Sequence, residues 1–181
     1  MVTKTYHAEG IVLKRTNLGE TDRLVTIFTR EYGKVTAVAK GARRITSTRA
    51  ATLEPATQAQ FFFVTGKSLD ILTQSRLICS FTQAHANLTR VTQTYQILEV
   101  VDVLTAERQD HPEVYALLLS TLRSLNTDGP KKILLLENIR LILKALGFTH
   151  DKVFTPLELK HYIEDLANKT LHSKPFLDTH S

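Results

Sequence analysis

The sequence predicts an α+β protein in which a small five-stranded β-barrel precedes a bundle of α-helices. Runs of β-forming residues, separated by glycine-containing turns, fill the first 80 residues. Beyond them, apolar residues recur at spacings of three and four, which is typical of helices. This change of period places a boundary near residue 80 and predicts two domains, residues 1–80 and residues 81–181.

Five strands are predicted in the first domain, over residues 6–14, 23–29, 35–39, 58–64 and 69–80. Gly10 indicates a bulge or a sharp bend within the first strand, and residues 16–20 indicate a turn after it. Gly33 is expected at the left-handed position of the next hairpin. Five strands with one long loop, between the third and the fourth, are typical of an OB-fold barrel.

Three consecutive aromatic residues, Phe61, Phe62 and Phe63, lie in the fourth predicted strand. Because successive side chains of a strand point to opposite faces, at least one ring must enter the barrel core. A ring on the outer face could instead stack on nucleobases. Of the two interpretations, we favour packing in the core and between the domains.

Four helices are predicted in the second domain, over residues 82–107, 112–126, 131–146 and 155–172. Pro112 fits the first turn of the second helix, and Gly147 fits the end of the third. Thr155 and Glu158 have the spacing of a capping box. The third helix is apolar almost all round, so we expect it at the centre of the bundle.

The charge of the chain is divided unevenly between the two halves. The first 80 residues hold 12 Lys and Arg against 6 Asp and Glu, and the remainder holds 11 against 12. A basic excess confined to one half predicts a polyanionic partner such as nucleic acid. The chain has 181 residues, 43% of them hydrophobic, with no signal pattern and no apolar run of about 18 residues. We therefore expect a globular cytoplasmic protein.

The segment from Lys40 to Arg49, here called the basic loop, carries four cations in ten residues and no acid. It follows the end of a predicted strand, and Gly41 allows a sharp turn there. A loop of this kind suits phosphate, since each cation that meets a polyanion releases condensed counterions. Taken alone, the pattern fits equally well a basic loop that is only solvated.

No constellation of catalytic residues is found in the sequence. Gly66-Lys67-Ser68 lacks the first glycine of a phosphate-binding loop and is better explained as a hairpin turn. The single Cys79 excludes an internal disulfide and a cysteine-rich zinc site, and an apolar strand suggests a small core residue there. We therefore expect a non-enzymatic protein without a cofactor or a bound metal.

Five segments of the first half carry a family resemblance. They are Glu9-Gly10-Ile11-Val12-Leu13-Lys14-Arg15, Gly19-Glu20-Thr21-Asp22-Arg23-Leu24, Phe28-Thr29-Arg30-Glu31-Tyr32-Gly33-Lys34, Ala39-Lys40-Gly41-Ala42-Arg43-Arg44 and Leu53-Glu54-Pro55. The second half adds Leu98-Glu99, Leu146-Gly147-Phe148 and Ser173-Lys174-Pro175-Phe176-Leu177. In this order they resemble the RecO family of bacterial DNA repair proteins, the recombination mediators.

The resemblance implies an N-terminal OB-fold, a helical C-terminal domain and a non-enzymatic role in recombinational repair at the nucleoid. Members of the family bind single- and double-stranded DNA and anneal complementary strands. With RecR, they load RecA onto DNA covered by single-strand-binding protein. Many members carry a four-cysteine zinc motif after the Leu-Gly-Phe element, whereas residues 149–155 here contain no Cys. The chain therefore resembles a short form without the zinc motif, which puts in question the partner contacts of that segment.

Residues and resemblance together predict that cations of the barrel contact DNA phosphates without reading base edges. The predicted DNA-binding residues are Lys14, Arg15, Lys34, Lys40, Arg43, Arg44 and Arg49. Arg23 is left out, because its acidic neighbours indicate an internal ion pair or a brace of the hairpin. The alternative is a protein-interaction adaptor, which docks single-strand-binding protein or RecR and binds little DNA itself.

We expect the purified protein to contain no stoichiometric zinc, because the chain has one Cys and no pair of His at ligand spacing. Elemental analysis should find far less than one zinc per chain. A chelator should leave the melting temperature unchanged, since no bound metal contributes to the free energy of unfolding. About one zinc per chain would contradict this and would mean that scattered His and carboxylates meet in space.

Overall fold

The structure is a computed structural model, and it describes residues 4–43, 50–81, 88–127, 132–148 and 154–172. Within these residues lie five β-strands followed by four α-helices, which confirms the predicted α+β class. They are β1 (Thr5–Leu18), β2 (Asp22–Thr29), β3 (Gly33–Ala39), β4 (Thr57–Val64), β5 (Asp70–Ser80), α1 (Leu88–Leu104), α2 (Pro112–Thr127), α3 (Lys132–Ala145) and α4 (Pro156–Ala167).

The strands close into a barrel in the order β1–β2–β3–β5–β4, with β4 returning to β1. β3 and β5 run parallel and pair at Ala37 with Asp70 and at Val38 with Ile71. The other four pairings are antiparallel. A five-stranded barrel with this order confirms the predicted OB-fold. Its parallel seam is short, so little backbone pairing joins β3 to β5.

The barrel core is filled by alternate side chains of the strands. Phe61 and Phe63 are fully buried in it, together with β-branched and small residues such as Val25 and Ile27. Phe62 lies between the two buried rings, points outward, and has 37% of its surface exposed. The prediction that at least one ring enters the core is confirmed. Packing of this triplet between the domains stays a prediction.

The first strand is longer than predicted. β1 continues to Leu18, and the turn follows it, whereas the sequence predicts a strand that ends at residue 14. The irregularity in its pairing lies between Val12 and Lys14, not at Gly10. A glycine suits position 10 for a different reason, because a Cβ there would lie 2.5 Å from Ile27 Cγ2. The bulge offered for Gly10 is therefore wrong in its position, and Gly10 permits close packing of β1 on β2.

α2 and α4 begin as predicted, whereas the predicted start of the first helix, at residue 82, lies outside the described residues. Two helices end earlier than predicted. Thr155 and Glu158 form the expected capping box, and α4 stops at Ala167, where Asn168 turns left-handed at φ +48°. α1 stops at Leu104 rather than near residue 107. α3 buries Ile139 but exposes Leu141, so it is not buried all round. None of the described helices has the length and apolar character needed to cross a membrane.

The chain divides into two compact units, and the first is not continuous in sequence. Met1–Ser80 and Ala106–Pro112 form one unit, and Phe81–Thr105 and Glu113–Ser181 form the other. Residues 106–112, here called the linking segment, follow α1 and join the barrel, and the last of them, Pro112, begins α2. Glu107 forms a parallel bridge with Lys34, and the Arg108 N–H donates to the Lys34 carbonyl at 2.9 Å. The boundary predicted near residue 80 stays a prediction. The structure adds that the linking segment belongs to the first unit.

Gly33 makes room for the linking segment. Its φ of +63° is the left-handed conformation predicted for this hairpin. A Cβ built on Gly33 would lie 1.8 Å from the carbonyl oxygen of Gln109. Backbone atoms cannot move aside as the end of a flexible side chain can. The left-handed φ and the close approach of Gln109 therefore both exclude a side chain at this position.

We expect Gly33→Ala to destabilise the protein by about 3 kcal/mol or more. The left-handed backbone accounts for about 1 kcal/mol, and displacement of the linking segment accounts for the rest. Gly19→Ala is a matched control, since Gly19 has a similar φ of +62° with no atom within 4 Å of the added Cβ. Urea unfolding measures both. Equal losses in the two variants would contradict the close approach of Gln109.

Candidate nucleic-acid interface

The start of the basic loop is fastened to the turn between β1 and β2. The Gly41 N–H donates to Asp22 Oδ1 at 2.8 Å, and the Arg43 N–H donates to the Thr21 carbonyl at 2.9 Å. The Arg43 guanidinium also donates to the Gly19 carbonyl at 2.7 Å. These bonds join two loops that are distant in sequence, so the backbone that carries Lys40 and Arg43 has a defined position.

Lys40 and Arg43 are both exposed on this turn, on either side of the fully buried Ala42. The carbonyl that Arg43 meets is neutral, so the contact orients the guanidinium without cancelling its charge. Two cations on a fixed backbone are well suited to phosphate oxygens. Arg44 and Arg49 lie outside the described residues, and their role stays a prediction.

Arg15 and Arg23 share the carboxylate of Glu54. Arg15 Nη2 lies 2.9 Å from Oε2, and Arg23 Nη1 lies 3.3 Å from Oε1. Arg23 is thus part of an internal ion pair with Glu54. Arg15, which the sequence places among the DNA-binding residues, has part of its charge balanced by the same acid. Its contact with DNA stays a prediction.

Lys14 and Lys34 lie on β1 and β3, next to a row of threonines. Lys14 pairs with Thr26 across the sheet, Thr26 pairs with Thr36, and Lys34 is two residues from Thr36. Glu107 of the linking segment accepts hydrogen bonds from the Thr36 hydroxyl at 2.6 Å and from the Thr36 N–H at 3.2 Å. A carboxylate therefore stands on the strand 2–3 side of the barrel, which OB-folds commonly use for nucleic acid.

A buried carboxylate anchors the linking segment at a second point. Asp70 has a side chain only 6% exposed, and it accepts hydrogen bonds from the Tyr6 hydroxyl and from the Arg108 guanidinium. The Gly66 N–H donates to its other oxygen at 3.2 Å. The Arg108 guanidinium also lies 5.3 Å from the centre of the Tyr6 ring, a cation–π distance. Four parts of the barrel unit thus meet at one acid.

The protonation states of this cluster follow from its contacts. Burial pushes the pKa of the Asp70 carboxyl upward, but the hydrogen bonds from Tyr6 and Arg108 outweigh it and hold the pKa below its ordinary value. Burial, and then the bond to Asp70, raise the pKa of the Tyr6 hydroxyl well above its usual range. Burial lowers the pKa of Arg108, and the bond to Asp70 more than compensates. At neutral pH the cluster therefore holds a carboxylate, a neutral phenol and a guanidinium.

Sequence reasoning did not single out Glu107, Arg108 or Asp70. The sequence predicts Glu107 at the end of a helix and Asp70 near the start of a strand. The positive φ of Arg108, +63°, was also unforeseen. No local pattern indicates these contacts, since Asp70 and Arg108 are 38 residues apart. Among the described residues, no group of three or more His, Cys, Asp or Glu is arranged to hold a metal ion.

We expect Asp70→Asn to destabilise the protein by about 2–4 kcal/mol at pH 7, because it removes the charged partner of Arg108 and Tyr6. The pKa of Asp70 is lowered in the folded state, so its stabilisation is present above the ordinary carboxyl pKa and is lost as pH falls through the lower folded value. The difference in free energy of unfolding between wild type and variant, measured with urea, should therefore become smaller below about pH 4.

The control for this prediction is Glu54→Gln. Glu54 also meets two cations, but its side chain is 43% exposed, so water screens the pair. We expect a loss of less than about 1 kcal/mol. A loss of unfolding free energy in Asp70→Asn that grows as the pH falls would contradict the lowered pKa of Asp70.

Comparison with known proteins covers both halves of the chain. The family model described as Recombination protein O N terminal matches residues 1–81, and that described as Recombination protein O C terminal matches residues 85–151. The chain is 34% identical over 148 residues to a protein of Roseiflexus sp. named DNA repair protein RecO. Proteins of the same name from Desulfitobacterium hafniense and Symbiobacterium thermophilum are 38% identical over 117 residues and 36% identical over 145 residues.

These alignments include 82%, 65% and 79% of this chain, respectively. They include 52%, 43% and 57% of the relatives, so the chain spans about half the length of the curated relatives it matches. The barrel coincides with the first family match, and α1, α2 and α3 lie within the second. Both matches and the shared identity show that the chain belongs to the RecO family.

Proposed function

We propose that this protein is a non-enzymatic, DNA-binding recombination mediator that acts in recombinational repair. The observation that carries the proposal is the turn at Lys40 and Arg43, where hydrogen bonds to the β1–β2 turn hold two exposed cations in place. The basic excess of the first 80 residues gives this turn a positive surrounding. Membership of the RecO family agrees with a role in repair.

Phosphate contacts of this kind suit strand annealing, because they hold DNA of any sequence. Cations that neutralise two strands at once lower the repulsion between them, and base pairing then completes the reaction. Among the described cations, Arg43 is placed best for this task, because its guanidinium meets a neutral carbonyl. Arg15 shares Glu54 with Arg23, and Lys34 lies beside the linking segment that carries Glu107.

The proposal includes protein partners on the ground of family membership alone. We propose that the protein works with RecR and with single-strand-binding protein, and so helps RecA to load at the nucleoid. One observation also favours the adaptor role as a second candidate. The helical unit exposes several large apolar side chains that a partner protein could cover, namely Tyr95, Leu141, Leu157 and Leu166.

We expect the triple variant Lys40→Ala, Arg43→Ala, Arg44→Ala to bind oligonucleotides of every sequence more weakly. Each lost phosphate contact flattens the plot of log affinity against log salt by about 0.7 for single strands, so the slope should fall by roughly 2. Annealing should be slowed more than binding is weakened, because it needs two strands to be held together. Fluorescence anisotropy at several salt concentrations measures the slope, and mixing of complementary labelled strands measures annealing.

The matched control is Arg123→Ala, Lys144→Ala, Lys169→Ala, which removes three exposed cations from the helical unit. It changes the net charge equally and should leave the slope within about 0.5 of wild type. Both variants should keep their folding free energy, since exposed charges usually contribute within about half a kcal/mol. An unchanged slope in the folded basic-loop variant would refute the DNA contact. Weak, salt-insensitive DNA binding by wild type would favour the adaptor role.

A further inference from the structure

A second exposed surface lies on the outer side of β1, β4 and β5. His7, Phe62 and Gln74 are directly opposite one another across these strands. They point outward because the neighbours of Phe62, Phe61 and Phe63, fill the core. We call His7, Phe62 and Gln74 the stacking surface. It borders an open, shallow pocket of about 240 Å³, to which Thr5 and Thr73 also contribute.

The stacking surface combines flat rings with polar groups at the rim. The ring centres of His7 and Phe62 are 6.0 Å apart, with 36° between their planes. The Gln74 amide lines the same pocket and can both donate and accept hydrogen bonds. A nucleobase is complementary to this surface, because it has a flat π face and a polar edge.

Cations stand at both ends of the stacking surface. Lys4 precedes β1, and its carbonyl accepts from the Thr65 N–H at 2.9 Å, which brings it beside the β4–β5 turn that carries Lys67. At the other end, Arg76 follows Gln74 by two residues on β5 and so points to the same side. All three cations are exposed and form no ion pair within the described part of the chain.

Two acids lie near this row. Asp70 bonds Gly66, next to Lys67, but is already paired with Arg108. Glu9 lies opposite Gln60, and Gln60 lies opposite Arg76. The Glu9 carboxylate accepts a hydrogen bond from the Gln58 amide at 2.8 Å. Because Arg108 balances Asp70, one acid, Glu9, stands against three cations, and the surroundings of the stacking surface are positive. A single exposed Phe is ordinary on a protein surface. An exposed ring with a polar rim and cations at both ends is the arrangement that single-stranded nucleic acid requires.

We propose that the stacking surface binds an unpaired base of single-stranded nucleic acid. The base stacks on Phe62 beside His7, the Gln74 amide meets its edge, and Lys4, Lys67 and Arg76 contact the flanking phosphates. This inference rests on the proposed function for the chemical class of its ligand. It adds a site for bases to the phosphate contacts of the basic loop.

The two places are well separated on the barrel. His7 lies near the start of β1, and the basic loop is fastened to the turn that follows the end of β1 at Leu18. A strand of this length extends for roughly 3.3 Å per residue, so the two sites are not neighbours. One barrel can therefore hold an unstacked base at one place and a second backbone at the other, as annealing requires.

The test is Phe62→Ala in the full chain, with a short labelled oligo(dT) and a blunt-ended duplex as probes. We expect the affinity for oligo(dT) to fall by about 5- to 100-fold, the range that stacking on one aromatic side chain provides. The affinity for the duplex should change by less than about twofold, because its bases are already stacked and paired. The salt slope should stay that of wild type, since no phosphate contact is lost.

Two further variants keep the test independent of folding. Phe62→Trp should bind oligo(dT) at least as tightly as wild type, because the larger ring retains the stacking face. Leu77→Ala removes an exposed apolar side chain of β5 outside the pocket, and it should bind like wild type. An oligo(dT) with one 2-aminopurine should lose fluorescence on binding to wild type, and lose less with Phe62→Ala.

The possible results separate this inference from the proposed function. If wild type binds DNA with a steep salt slope and Phe62→Ala binds oligo(dT) equally well, the stacking surface does not bind a base. The proposed contact of the basic loop with DNA would still stand. Equal losses for oligo(dT) and duplex would also overturn it, because the site would then not select unpaired bases. If wild type binds neither probe, the proposed function itself fails.

Discussion

The buried carboxylate of Asp70 holds together parts of the barrel that backbone pairing joins weakly. β3 and β5 pair at two positions, so few backbone hydrogen bonds close the barrel at this parallel seam. Asp70 stands at the seam and accepts from Tyr6 of β1, from Gly66 of the β4–β5 turn and from Arg108 of the linking segment. A charge that is removed from water requires several donors, and these donors come from separate parts of the chain. One acid thereby links the start, the middle and the linking segment of the barrel unit.

The linking segment adds a carboxylate to one side of the barrel. It places Glu107 against Thr36, on the side where Lys14 and Lys34 lie. Glu54 in turn meets Arg15 and Arg23. Exposed cations without a carboxylate partner in the described part of the barrel unit are Lys4, Arg30, Arg43, Lys67 and Arg76. Acids of the barrel unit thus balance some of its cations, such as Arg15 and Arg108, and leave others exposed.

The fold was largely predictable because its signals are local. Alternation along each strand predicted that at least one ring of the Phe triplet enters the core, and the hairpin required the positive φ found at Gly33. The spacing of apolar residues located the helices, and a proline or a capping box located their beginnings. The end of β1 was missed, since polar residues before Gly19 indicate a turn locally. Their pairing with β2 as far as Asp22 overrides that preference.

The sequence by itself determined the α+β class, the barrel, the family resemblance and the basic character of the first half. Only the tertiary structure decided which cations are balanced and which remain available. Arg15 and Glu54 are 39 residues apart, and Arg108 and Asp70 are 38 apart. Strand and helix periods are set by neighbours along the chain, so a sequence displays them directly. An ion pair depends on the distance between two groups in space, and that distance exists only after the chain has folded.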